Sequence, residues 1–449
     1  MWPFLSLPLL NPPVTFPKRA SIQTLGCRLN QYESKVIRDR LEEAGYRIVP
    51  FESQADLAVI NTCTVTNVAD AKSRNAIRRF TRSNPQAVTV VVGCYSQVGY
   101  KAIAEIPGID YVIGNNDKLN LLEYVGEGKT DQPIIIRERM DREDFSITFV
   151  GDAPFQQRAN LKLQDGCDFM CSFCIIPFAR GRARSRDFDN LIKEAESLAS
   201  RGVREFVLTG VNLGVYENSG KCITEAIDAL AAIQGVDRIR ISSIEPTTIP
   251  EDLFWRMASP EHPLLPFLHV PFQSGCDRTL KAMRRLYEVR EALEFIQRAV
   301  EQVPGLCVGT DLMVGFPGET EADFDETCRF FLERPFAYCH VFPFSERHGT
   351  PAVRMSNQVA VAERKRRSAH LRRLSAAKRF AFDEAQVGKT ANVLFEDCRD
   401  DLFPGYTENF VRVAVPCQDG LDLTNRLGKV RLIRPAADYL EAEFIEILS

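Results

Sequence analysis

Residues 166–175 read Gly166-Cys167-Asp168-Phe169-Met170-Cys171-Ser172-Phe173-Cys174-Ile175, a CxxxCxxC run just after the apolar segment 160–163. Three thiolates this close fall one short of the four ligands of a closed zinc site. They suit three irons of a cubane cluster and leave its fourth iron open for a small ligand. Packing or zinc-binding cysteines are the competing reading. From the run outward, segments 160–163, 205–209, 238–242, 267–270, 308–314 and 338–342 alternate with helical patterns such as 189–200, 290–301 and 321–332. Six such units predict a partial (βα)6 barrel, open on one side, instead of the closed eightfold form.

Upstream, segments 21–25, 57–61, 88–92 and 111–113 read as strands, with helical patterns at 31–45 and 67–82. That alternation predicts a doubly wound parallel sheet. Cys27, Cys63 and Cys94 each stand just beyond the carboxyl end of one of these strands. Such ends share one sheet edge, where ligands bind. Three cysteines separated by 36 and 31 residues are therefore expected to converge as a second three-ligand cluster site, with one iron open for sulfur. Taken one at a time, each reads equally well as a buried cysteine.

A length of 449 residues implies two to four domains. The expected division is a disordered tail over 1–19, an N-terminal domain over 20–130, a linker over 131–157 with one or two extra strands, a barrel core with a basic helix over 158–386, and a small all-β barrel over 387–449. Strands of that last unit are expected at 392–395, 410–414, 429–433 and 443–448. Thirteen cysteines, an odd number without paired spacing, point to free thiols in a reduced compartment. The apolar stretch 2–10 follows no basic residue, and prolines at 3, 8, 12, 13 and 17 break the tail, so neither a signal peptide nor a membrane helix is expected. A cytoplasmic monomer is the expectation. The net charge of −4 confines any nucleic-acid surface to a local patch.

The CxxxCxxC run, with Phe173 before its third cysteine, resembles the signature of the radical S-adenosylmethionine superfamily. That resemblance implies a 4Fe–4S cluster on Cys167, Cys171 and Cys174, whose open iron binds S-adenosylmethionine and whose electron cleaves it to a 5′-deoxyadenosyl radical. The segments Leu25-Gly-Cys-Arg-Leu-Asn-Gln-Tyr-Glu-Ser34, Asn61-Thr-Cys-Thr-Val-Thr66 and Gly93-Cys-Tyr95 resemble the methylthiotransferases. Those enzymes combine an N-terminal three-cysteine domain, a radical barrel and a C-terminal TRAM domain. Cys27-Arg-Leu-Asn-Gln31, residues 61–74 and Arg180-Gly-Arg-Ala-Arg-Ser-Arg186 are most similar to the branch that acts on N6-threonylcarbamoyladenosine in tRNA. The resemblance implies a second 4Fe–4S cluster on Cys27, Cys63 and Cys94, and S-adenosylmethionine in two roles. It also implies the anticodon stem-loop of tRNA as partner, with an electron donor and a sulfur source that the sequence does not identify. The rival readings are isopentenyladenosine tRNA, a ribosomal-protein aspartate, or a non-catalytic iron–sulfur carrier.

For the cofactor, Phe173, Gly210 and Asn212 in the loop 209–214, Glu245, Gln273 and Asp311 are the expected contacts. Phe173 lies in the cysteine run, the loop 209–214 and Asp311 resemble cofactor-binding segments of the superfamily, and Glu245 and Gln273 lie beyond strand ends. Arg180, Arg182, Arg184 and Arg186 alternate, which in an extended segment places all four on one side for phosphate contact. Residues 361–379 hold eight Lys/Arg against one Glu and read as a basic RNA-binding helix, with Arg366, Arg367, Arg372 and Arg373 at its centre. A solvated charge run is the plainer reading of both stretches. Tyr406 and Phe410 are expected to stack on bases, although residues 388–449 carry eleven Asp/Glu and only seven Lys/Arg. Cys276 stands where the family usually has serine and reads as an isosteric swap.

Overall fold

Alternation along one buried strand builds the N-terminal half. In the computed structural model, β1 (Arg19–Thr24), β2 (Arg47–Val49), β3 (Leu57–Thr62), β4 (Val88–Gly93), β5 (Tyr111–Ile113) and β6 (Ile134–Ile136) form one parallel sheet in the order β2-β1-β3-β4-β5-β6. Leu57 and Val59 of β3 pack with Ile37 and Leu41 of α1 (Arg28–Glu43). Ala58 and Ile60, pointing the other way, pack with Ile77 and Phe80 of α2 (Asn67–Ser83). A strand covered on both faces needs apolar residues at every position, which is why β3 and β4 read as unbroken apolar runs. The structure describes residues 18–126, 128–140, 142–148, 157–418 and 420–449. The expected tail lies outside these except for Lys18 and Arg19, and so do 149–156 of the expected linker.

The central half has six parallel strands in two runs. β7 (Arg158–Lys162) pairs with Glu205–Thr209, which pairs with Arg238–Ile241. Phe267–His269, Cys307–Val314 and Tyr338–Pro343 form the second run. A bridge between Ile239 and Leu264 links the two runs. Among the described residues no pairing joins β7 to Tyr338–Pro343, so the arc stays open there, and α1 packs beside β7. Leu161, Phe206, Leu208, Ile241, Leu268 and Leu312 fill the core between strands and outer helices.

The long helix Val361–Glu384 lies against Tyr338–Pro343 at the other side of the opening. The chain ends in a closed five-stranded barrel of Thr390–Phe395, Leu402–Tyr406, Arg412–Pro416, Leu427–Pro435 and Leu440–Ile447. Its core is Val393, Phe395, Phe403, Val413, Val415, Val430 and Leu432. The strand Leu402–Tyr406 is hidden in the sequence because Pro404-Gly405 reads as a turn. A side chain at Gly405 would meet Val393 Cγ1 at 2.5 Å, so close strand packing explains the glycine. Cys398 and Cys417 form a disulfide in this barrel, which corrects the expectation of free thiols throughout. The other eleven cysteines are free.

Candidate active site

The first cysteine site sits on the carboxyl edge of the N-terminal sheet. Cys27 caps the start of α1, Cys63 follows β3, and Cys94 opens the short helix Cys94–Val98 directly after β4. A Cβ at Gly26 would lie 2.9 Å from Cys63 Sγ, so the Cys27 loop and Cys63 are in contact. Gly26 has φ +103° and Gly93 φ +98°, a region disfavoured for any side chain. Two asparagines tie the loops together. Asn30 donates through Nδ2 to the Leu25 and Thr62 carbonyls (2.7 and 2.9 Å). Asn61 donates to the Asn30 carbonyl and to Ser34 Oγ (both 3.0 Å). Burial, reinforced by the neighbouring cysteines, pushes the Cys63 thiol up to about 11 and raises that of Cys94.

The second site is the CxxxCxxC loop between β7 and the short helix Ile176–Arg180. Gly166, at φ +70°, lies against the backbone of Arg182, where a Cβ would come within 1.9 Å of its carbonyl oxygen. Ser172 fastens the loop to the barrel by donating to the Met283 and Ala282 carbonyls (3.0 and 2.8 Å). The Phe173 ring packs edge-on against Phe316, 6.4 Å between centroids. Burial again raises the thiols, to about 11 at Cys167 and about 12 at Cys174. Arg285 donates from Nη1 to Cys171 Sγ at 3.3 Å and forms an ion pair with Glu245. Three free thiols on one loop, Cys171 buried and Cys167 and Cys174 half-buried, fit an iron–sulfur group that would bind them as thiolates.

A buried charge network joins the two sites. Glu33, on α1, accepts from Arg180 (3.0 and 3.1 Å) and pairs with Lys118 (2.5 Å) and Lys162 (2.9 Å). Asp165 pairs with Lys162 (2.6 Å) and Arg180 (3.0 Å). Burial alone would raise the Glu33 carboxyl, but Arg180, Lys118 and Lys162 outweigh it and hold the group well below the usual carboxylate range. This placement corrects the expected arginine stripe. Arg180 ends a helix, Gly181 turns at φ +79°, and only Arg184–Ser185 is extended, so period two does not run through the segment. Arg180 and Arg186 are 1% and 0% exposed, Arg186 being paired with Glu194 (2.5 Å). Arg184 lies near Asp165 (3.8 Å), while Arg182 alone is well exposed. Arg180 and Arg186, buried and paired, have no free charge to offer a phosphate.

The other expected residues lie in different parts of the molecule. Glu245 reaches the CxxxCxxC run through Arg285, which contacts both it and Cys171. Gln273, at φ +71°, pairs its backbone with Asp311 and Met313, and Asp311 adds its charge to the environment of Glu245. His269 and His340 contact Asp311 at 2.9 and 3.3 Å and, after the burial that opposes them, keep its carboxyl low. Asn212 is committed to the protein, accepting from Gly214 and Thr248. Gly210 lies where a Cβ would press Leu213 and Gln164, whose Oε1 accepts from the backbone of Val211 and Asn212. In the long helix, Arg367 is corrected from RNA contact to a buried partner of Glu319 (2.5 Å). Arg366 is exposed but already paired with Glu321 and Glu363, leaving Arg372 and Arg373 exposed. Tyr406 and Phe410 stack on each other, 4.7 Å apart, Phe410 lies tilted against Phe267 at 4.9 Å, and all three rings line one cavity. Cys276 is buried with its Sγ 3.3 Å from Asp323.

That cavity, of about 820 Å³, lies in the opening of the arc between the long helix and the C-terminal barrel. Arg28, Arg240, His269 and Tyr338 line it. None of them stands out in the sequence, although the alternation Arg238-Ile-Arg240-Ile in a buried strand was a usable signal of charge directed to one side. Family models match the chain over residues 19–114, to the uncharacterized protein family UPF0004, and over 161–331, to the radical SAM superfamily. The threonylcarbamoyladenosine tRNA methylthiotransferase MtaB of Bacillus subtilis is 38% identical over 95% of this chain and 96% of its own length. The chain belongs to the radical S-adenosylmethionine methylthiotransferase family. The MtaB of Aquifex aeolicus is 36% identical over 88% of this methylthiotransferase and 96% of its own length. The tRNA-2-methylthio-N(6)-dimethylallyladenosine synthase of Anaplasma phagocytophilum is 31% identical over 94% and 97%. A solved radical S-adenosylmethionine methyltransferase, TsrM of Kitasatospora setae, shares the fold with TM-score 0.53 at 15% identity, covering 75% of this chain and 77% of that one. The family implies a 4Fe–4S cluster and S-adenosylmethionine. Among the described residues, no helix is long and apolar enough to cross a membrane.

Proposed function

We propose that this methylthiotransferase acts on carbon-2 of N6-threonylcarbamoyladenosine next to the anticodon of tRNA, exchanging C–H for C–SCH3. The observation that carries the reading is the pair of three-cysteine loops, one on each side of the network of Glu33, Arg180 and Asp165. Relatives named for the threonylcarbamoyl substrate, similar over nearly the whole chain, support the choice of base. Cys167, Cys171 and Cys174 would hold the cluster that supplies reductive cleavage of S-adenosylmethionine, with electrons from a separate donor. Cys27, Cys63 and Cys94 would hold a second cluster that supplies sulfur. Arg285 would hold Cys171 in place and is itself oriented by Glu245. Gln164 shapes the 210–214 loop against which the cofactor would lie, and Asp311 with its two histidines forms the polar wall toward the cavity.

The N-terminal assignment has its own test. With Cys27, Cys63 and Cys94 all replaced by alanine, the protein is expected to form 5′-deoxyadenosine and transfer no sulfur, with about half the iron of the parent. Full iron in that variant would make the three cysteines packing residues. Mass spectrometry of tRNA nucleosides from cells lacking the protein tests the substrate: the methylthio group should vanish from threonylcarbamoyladenosine and persist on isopentenyladenosine.

For the RNA surface, Arg372 and Arg373 replace the buried arginines as the expected phosphate contacts. The double variant Arg372→Gln, Arg373→Gln should lower the slope of log affinity against log salt by about one unit per lost contact, at unchanged iron content. An unchanged slope removes the long helix from the interface.

A further inference from the structure

The cavity holds more positive charge than its walls neutralise. Arg28, Arg240, Arg372, Arg379 and Arg412 line it against two acids, Asp383 and Asp438. Arg379 pairs with Asp383 (3.0 Å) and Arg240 with Glu205 (3.0 Å). Arg28 has no such partner: among the described residues its guanidinium makes no ion pair or hydrogen bond. Its side chain is exposed on the cavity wall, so the guanidinium is free to meet an anion that enters.

Position narrows the choice of anion. Arg28 follows Cys27 directly, about 3.8 Å from Cα to Cα, so it belongs to the loop from which sulfur would be delivered. The base must bring carbon-2 to that loop, and the N6 substituent hangs from the same six-membered ring. A charged group on that substituent therefore stays close to the sulfur loop. On the opposite wall, His269 and His340 are already engaged by Asp311 and compete less for it. A guanidinium meets a carboxylate through two parallel hydrogen bonds, a geometry no neutral substituent repays.

We propose that Arg28, backed by Arg240, is the specificity-determining residue that binds the carboxylate of the threonylcarbamoyl group. The proposal rests on the substrate assigned above. An isopentenyl group in the same place leaves Arg28 unpaired, so the residue selects by rejection as well as by attraction.

The test uses the full-length, cluster-loaded protein and four anticodon stem-loops: the threonylcarbamoyl form, its methyl ester, the isopentenyl form and unmodified adenosine. Affinities are measured at one salt concentration. The parent protein should favour the acid over the ester by about tenfold to a hundredfold, the range of a charged hydrogen-bonded pair. In Arg28→Gln that ratio should fall to near one, with Arg28→Lys between, all at parental iron content. A ratio near one in the parent overturns the proposal, and so does an undiminished ratio in Arg28→Gln. Equal weakening of all four RNAs by Arg28→Gln would make it a phosphate contact and overturn it too. A parent that prefers the isopentenyl stem-loop overturns the substrate assignment itself, an outcome distinct from the other three.

Discussion

Replacing Cys167, Cys171 and Cys174 together by alanine is expected to abolish cleavage of S-adenosylmethionine outright. Anaerobically reconstituted parent protein should carry about eight irons per chain, four for each proposed cluster, and the triple variant about four. No other change should have so large an effect on activity. The thiols have no substitute nearby: Arg285 and Glu245 are engaged with each other, and Phe173 is packed on Phe316. Iron analysis with detection of 5′-deoxyadenosine by chromatography decides the matter. Continued cleavage by the triple variant would place the catalytic cluster elsewhere.

The largest effect on stability is expected at Glu33. Its carboxylate is fully buried and meets Arg180, Lys118 and Lys162, so Glu33→Ala leaves three cations facing one another with Asp165 as their main counter-charge. Removing one member of a buried charged set costs about 3–5 kcal/mol. Urea unfolding should show a midpoint lowered to match, since stability divided by slope sets the midpoint. The sign of the pH dependence follows from the direction of the shift. Glu33 is held below its ordinary value of 4.5, so its contribution is complete above that pH. It is lost as the pH falls through the depressed value. The part of the difference that comes from the Glu33 carboxylate itself should thus stay complete down to about pH 5 and shrink only in stronger acid. A variant as stable as the parent at pH 7 would show that the network contributes nothing net.

The cysteine geometry was legible because each thiol follows an unbroken apolar run, and runs of that kind end together on one edge of a parallel sheet. Segments 111–113 and 205–209 coincide with strands of the structure, and the helices at 189–200 and 321–332 differ by one residue at a single end. What could not be read was the destination of charge. Arg180 and Arg186 look like solvated residues, yet the partner of Arg180 lies 147 positions away in Glu33. The same blindness gave the long helix too much free charge, since Arg364 and Arg367 turn inward while Lys378 donates to the carbonyls of Phe331 and Leu332 at the end of a neighbouring helix. Arg28 could not be read as a cavity residue because the cavity is assembled from stretches far apart in the chain, from the start of α1 to the end of the C-terminal barrel.

The opening turns of α1 carry four attachments within seven residues. Cys27 belongs to the first cysteine site, Arg28 to the cavity, Asn30 to the strand ends and Glu33 to the barrel. Each points in a direction set by its place on one helical screw, where a single added residue rotates everything beyond it by about 100°. Side chains here can be exchanged one by one with separable effects. An insertion or deletion between positions 27 and 33 would misdirect several attachments at once. Length variation, tolerated in the loops of most enzymes, should therefore be absent from this stretch in any functional variant recovered by random mutagenesis.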